Sequence, residues 1–141
     1  MRVLLPTDDD ENRARKATET VISLPDAANA VEVMIFNVEQ QVEGADDQGA
    51  HVSSESWFDE DDYPDAVLTA EDRFNEVGVA VEKRRVHGEP AEEILTAADE
   101  ISADRIVMCG RKKTPVGKVL FGSVTQSVLL NAETPVTVIY G

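Results

Sequence analysis

Cysteine is almost absent from this chain of 141 residues: Cys109 is the single one. One cysteine cannot close a disulfide within the chain, and it does not support a clustered Cys/His zinc site. Set in the apolar run Ile106-Val107-Met108-Cys109, it reads as a small buried hydrophobe and not as a nucleophile. Histidine is scarce too, and neither His51 nor His87 has an obvious Ser or Cys partner for nucleophilic catalysis. No apolar run approaches a membrane span. The start, Met1-Arg2-Val3-Leu4-Leu5-Pro6, lacks the apolar core of a signal peptide. The expectation is a cytoplasmic protein with no membrane association. Positive charge is the last scarcity: 13 basic residues stand against 28 acidic ones, for a net charge of −15. Such a surface repels polyanions, so no nucleic-acid partner is expected. Only 5 of the basic residues are lysine. High acidity with little lysine fits a halophilic protein, in which salt screens self-repulsion; an ordinary acidic protein is the alternative.

What is present suits one domain. The length fits a single core, and the 42 % hydrophobic content is that of a globular chain. Residues 1–141 are therefore read as one domain. Strand-like and helix-like segments alternate along it. Arg2 to Pro6 is a short apolar strand, and Asp8-Asp9-Asp10 then suits a helix start. Ala14, Ala17, Val21 and Leu24 follow at helical spacing, with Pro25 as the stop. Val31 to Val38 is apolar enough for a central parallel strand. The stretch 39–62 breaks the pattern with nine acidic groups and two glycines in 24 residues, and reads as an acidic loop insertion. A second helix opens near Pro64 and ends at Gly78. Val79 to Val86 is a strand whose charges, Glu82-Lys83-Arg84-Arg85, mark a sheet edge. A helix after Pro90, a strand at 105–109, a helix from Gly122 and a last strand at 135–140 complete the order. This β-α alternation predicts an α/β fold with a parallel sheet and helices on both faces. In such folds ligands bind beyond the carboxyl ends of the strands. Candidate site residues are accordingly Thr7 and Asp8, Val38 and Gly110.

The segment from Gly110 to Lys118 gathers four of the 13 basic residues within nine positions. It leads to Gly122-Ser123, where a helix is expected to begin. A helix start offers free N–H groups to an anion, and Gly122 permits close approach. The two features read together as a polyphosphate cradle. Ser123-Val124-Thr125-Gln126 also matches a capping box, in which Ser123 and Gln126 would serve only the helix end. The loop is not of the GxxxxGK[ST] kind, since Gly110 and Gly117 are separated by six residues and Val119 stands where Ser or Thr is required. A GxGxxG fingerprint is also missing after the first strand.

The sequence resembles the universal stress protein family over nearly its whole length. The matching pieces are Val3-Leu4-Leu5-Pro6-Thr7-Asp8, Phe36-Asn37-Val38, Gly88-Glu89-Pro90 and Val107-Met108-Cys109-Gly110-Arg111-Lys112. Phe121-Gly122-Ser123-Val124-Thr125-Gln126 and Thr134-Pro135-Val136-Thr137-Val138 extend the match. The resemblance implies an adenine-nucleotide α-hydrolase-like fold with strand order 3-2-1-4-5, commonly a homodimer paired through the last strand. It implies ATP as ligand; the run Asp8-Asp9-Asp10 suits Mg²⁺ held with a nucleotide, and helix capping explains it at least as well. Asp8 would meet the ribose side, and the backbone of Val38 would face adenine. Gly110, Gly122, Ser123, Val124 and Thr125 would approach the phosphates, beside Arg111 and Lys113. The chain departs from the ATP-binding pattern G-x2-G-x9-G-[ST]: Lys113 replaces the second glycine, and the loop is one residue short. The lysine adds charge for phosphate or fills its space, and both readings stand at this level. The first expectation is a stress-response nucleotide-binding dimer that is not an enzyme, with ATP hydrolysis slow and incidental at most. The alternative is a nucleotide-free interaction module of the same fold that binds a protein partner. An enzyme of the same wider group would need catalytic residues that the sequence does not offer.

Overall fold

The computed structural model describes residues 1–40, 59–110 and 122–140. Its strands are β1 (Arg2–Pro6), β2 (Glu32–Gln40), β3 (Ala80–Gly88), β4 (Arg105–Gly110) and β5 (Val136–Tyr140). Its helices are α1 (Glu11–Ile22), α2 (Ala27–Ala30), α3 (Asp65–Val77), α4 (Pro90–Glu100) and α5 (Ser123–Asn131). All strand pairings are parallel, in the order β3-β2-β1-β4-β5. The expected topology holds.

Alternation along the central strands builds two cores, because successive side chains leave a strand on opposite faces. Val3, Leu5, Val33, Ile35 and Val107 point toward α1 and α3, where they meet Val21, Val67 and Phe74. Leu4, Met34, Phe36, Ile106 and Met108 point the other way, toward Ile94 of α4 and Val128 of α5. Phe36 and Phe74 are among the largest fully enclosed side chains. Each such burial stabilises the fold by about 2–3 kcal/mol. The helix ends follow their local chemistry. Asp10 caps α1 by accepting from the Arg13 amide at 2.9 Å. Gly78 closes α3 in the left-handed region at φ 77°, where a side chain is disfavoured.

Several boundaries differ from expectation. The first helix stops at Ile22, and Leu24 packs against the core from outside it. The four-residue α2 follows Pro25, too short to register as a period. The strand expected at 31–38 runs on to Gln40, and the one expected at 79–86 runs on to Gly88, paired residue for residue. Glu39 and Gln40, expected to open the acidic insertion, instead lie in the sheet, with Glu39 held at 2.9 Å by Arg85. The charged strand is indeed an edge, and its cations are paired. Lys83 reaches Glu71 at 2.7 Å, and Arg84 reaches Glu100 at 3.2 Å. Among the described residues, no helix is long and apolar enough to cross a membrane.

Candidate functional site

At the carboxyl edge of the sheet, β1 and β4 neighbour each other while their following helices leave on opposite faces. The gap that this opens is a cleft of about 400 Å³. Six of the predicted residues line it: Thr7, Asp8, Val38, Ser123, Val124 and Thr125. Gly110 ends β4 and Gly122 precedes α5, so both stand next to the cleft in the chain but do not line it. Arg111 and Lys113 lie outside the described residues, as does most of the acidic insertion.

One part of the cleft is formed by the start of α5. Gly122, in extended conformation, is its N-cap, and its carbonyl accepts from the Gln126 amide at 3.0 Å. Ser123 is thus the first helical residue and not the cap, which corrects the capping-box reading. No side-chain cap bond is made there. Among the described residues, the amides of Ser123, Val124 and Thr125 are therefore left for an outside acceptor. Such a helix end carries partial positive charge and suits an anion. The cleft also has an apolar lining: Phe36, Val38, Ile94 and Met108 share one hydrophobic cluster with Val124 of α5 and give a flat group a surface away from water.

Asp8 lines the cleft from just after β1. One carboxylate oxygen accepts from the Asp10 amide at 2.9 Å, and the other accepts from Arg13 Nη2 at 2.8 Å. That hydrogen bond holds the Arg13 guanidinium above its ordinary pKa, against the opposing effect of partial burial. Asp8 and Asp10 thus serve the start of α1 and its cation. Among the described residues, no three His, Cys, Asp or Glu side chains converge as a metal would need. Thr7 donates its hydroxyl to the Leu5 carbonyl at 3.1 Å.

Arg13 and Cys109 line the cleft without having been singled out for it. For Arg13 the signal was available: a helix beginning at residue 11 places a first-turn cation beside the carboxyl end of β1. Cys109 is only half-buried, which corrects its reading as a small buried hydrophobe. Burial nevertheless pushes its thiol pKa up, so it is a poor nucleophile at neutral pH.

Comparison with known proteins follows this geometry. A universal stress protein of Methanocaldococcus jannaschii is 41 % identical over 64 residues, 45 % of this chain and 38 % of that protein. One from Mycolicibacterium smegmatis is 42 % identical over 71 residues, 50 % of this chain and 55 % of that protein. These matches span about half the relatives' length, or less. Among solved structures, another M. jannaschii universal stress protein superposes with a TM-score of 0.69 at 25 % identity, covering 99 % of this chain and 95 % of that one. An Archaeoglobus fulgidus universal stress protein in complex with dAMP gives 0.65 at 21 %, covering 99 % and 97 %. An Arabidopsis thaliana member with AMP bound gives 0.67 at 17 %, covering 99 % and 91 %. The last two share the fold. The family model described as "Universal stress protein family" matches residues 1–139, and the chain belongs to that family.

Proposed function

We propose that this protein binds an adenine nucleotide in the cleft, as a cytoplasmic stress-response homodimer that does no demanding catalysis. One observation carries the reading: a single cleft brings together the start of α5, which has no side-chain cap, an apolar surface and a fixed carboxylate. The helix end suits phosphate, the apolar surface suits a base, and Asp8 suits ribose hydroxyls. Relatives of this fold that carry dAMP and AMP support the same assignment. ATP, accompanied by Mg²⁺ as counterion to its phosphates, is the nucleotide proposed. No three carboxylates converge at the cleft among the described residues, so the metal's ligands would come chiefly from the phosphates and water. Isothermal titration with ATP, ADP and AMP in Mg²⁺ and high salt tests this. Saturable heat that disappears on filling the cleft with Val124→Trp is expected, and no heat with any of the three rejects it.

The homodimer is proposed to form through β5. Among the described residues that strand pairs with β4 and stands at the end of the sheet, while Leu130 on the neighbouring α5 is 75 % exposed. Sedimentation at micromolar concentration should show a dimer. A monomer there rejects that part.

A second reading is a nucleotide-free module that binds a protein partner, favoured by Lys113 standing in place of the second glycine. Deleting residues 43–62 would then abolish partner capture. A turnover assay with ATP addresses the absence of demanding catalysis, and multiple rapid turnovers would reject it.

A further inference from the structure

We infer that Arg85 and Asn37 are positioning residues for the cleft, tying its rim at Thr7 and Asp8 to both flanks of the acidic segment. The inference rests on the nucleotide reading and deepens it. Arg85 lies on the edge strand β3, where an arginine ordinarily extends into water. Its side chain is instead only 9 % exposed. Nη1 donates to Asn37 Oδ1 at 2.8 Å, Nη2 to Glu39 Oε2 at 2.9 Å, and Nε to the Asp59 carbonyl at 3.1 Å. Each nitrogen of the guanidinium thus has a different acceptor. Glu39 and Asp59 stand on either side of residues 41–58 in the chain, so one cation holds both flanks.

The third acceptor leads inward. Asn37 is 4 % exposed, and its Nδ2 donates to the Thr7 carbonyl at 2.8 Å. The Thr7 amide in turn donates to the Phe36 carbonyl at 2.9 Å, which extends the β1–β2 ladder past Pro6. The next residue is Asp8. Two hydrogen bonds therefore connect the guanidinium at the sheet edge to the peptide that carries the cleft's carboxylate. A pin for the edge strand alone would need only Glu39. Instead the Asn37 amide is fixed at both ends, its oxygen to a cation and its nitrogen to a carbonyl. Its oxygen bond is charge-assisted, and such bonds polarise and strengthen the next one along a chain. Displacement of Glu39 or Asp59 is felt at Asp8, and ligand held by Asp8 is felt at the flanks, because such coupling is reciprocal.

Asn37→Asp separates this role from plain stabilisation. It keeps an oxygen for Arg85 and removes the donor to Thr7. In the full chain without nucleotide, amide hydrogen exchange at Thr7 should accelerate about fivefold or more while Val86 stays protected, and ATP affinity should fall about five- to tenfold. Arg85→Met should lose protection at Thr7 as well, and Arg85→Lys should not restore it, since a point-like ammonium cannot serve three divergent acceptors. Unchanged exchange at Thr7 in Asn37→Asp overturns the proposal, as does unchanged ATP affinity beside altered exchange. If the wild type takes up no ATP, the nucleotide reading fails, and exchange at Thr7 alone decides the coupling. If Asn37→Asp does not fold, wild-type exchange in Arg85→Lys overturns it and faster exchange supports it.

Discussion

Asp8 and Arg13 form an ion pair at the mouth of the cleft, Oδ2 to Nη2 at 2.8 Å. The carboxylate is gripped from a second side by the Asp10 amide, so its orientation is fixed before any ligand arrives. Each carboxylate oxygen accepts more than one hydrogen bond, which leaves capacity for ribose hydroxyls. Asp8→Ala is expected to weaken nucleotide binding by about tenfold or more, the cost of losing hydrogen bonds to a charged group. Arg13→Ala should cost less, because it loosens the carboxylate without removing it. Calorimetric titration of both variants with a ribonucleotide and its 2′-deoxy analogue checks this. Equal affinity of Asp8→Ala and wild type would show that the carboxylate does not touch the ligand.

Cys109 offers a chemical probe of the same cleft. The residue lines the space, and burial raises its thiol pKa above the ordinary value. The fold favours the neutral thiol, so the stability this contributes is complete below the ordinary thiol pKa and is lost as pH rises through the folded value. Alkylation by iodoacetamide should be slow at pH 7, accelerate at a pH above that for free cysteine, and slow again when nucleotide is added. Alkylation unaffected by saturating nucleotide would place the ligand elsewhere.

The sheet order and the two faces were readable because alternation and β-α spacing are local signals. The mostly apolar run from Val31 to Val38 reads as a central strand covered on both faces. The helix start at Gly122 was also readable, but the cap was misplaced by one residue: Ser123 and Gln126 satisfy the capping-box spacing, while the backbone turns at Gly122. The role of Arg85 was hidden. In sequence it is one of several edge charges, and only the third dimension brings Asn37, Glu39 and Asp59 around it. Long-range pairs of this kind, 26 to 48 residues apart, leave no periodic trace.

Helices α1 and α3 are joined at the surface by Arg73, whose Nε lies 2.7 Å from Glu19 Oε1. The hydrogen bond from Arg73 holds the Glu19 carboxyl below its ordinary pKa. The stability from this pair is present above the unfolded carboxyl value and is lost as pH falls through the folded one. The pair is solvent-exposed, so its effect on unfolding is small and screened by salt. A carbon-detected NMR titration should show Glu19 titrating low in the wild type and returning to the ordinary range in Arg73→Ala.

Phe74 holds α3 onto the sheet. It is 0 % exposed and packs in the cluster with Val21, Ile35 and Val67. Phe74→Ala removes most of a buried ring and leaves a cavity that the surrounding strands cannot close. Urea denaturation should show a loss of about 3–5 kcal/mol. A loss below about 1 kcal/mol would mean that the helix re-seats on the sheet.

Net charge sets the last expectation. With −15 on 141 residues, the native state confines charge that the unfolded chain spreads out. Self-repulsion therefore opposes compaction at low ionic strength. Added salt weakens this repulsion and also the surface ion pairs, such as Arg2–Glu32 at 3.3 Å with both side chains about half exposed or more. The exposed pairs contribute little each, so relief of the net repulsion outweighs their loss. Screening shortens to about 3 Å at 1 M salt, where most of the gain should be complete. The melting temperature should rise steeply between 0.05 and 1 M KCl (on the order of 10 °C) and flatten beyond, with NaCl equivalent at equal ionic strength. Sulfate should continue to stabilise past that point through preferential exclusion. A melting temperature that falls with KCl would show that the ion pairs dominate and that the acidity is no adaptation to salt.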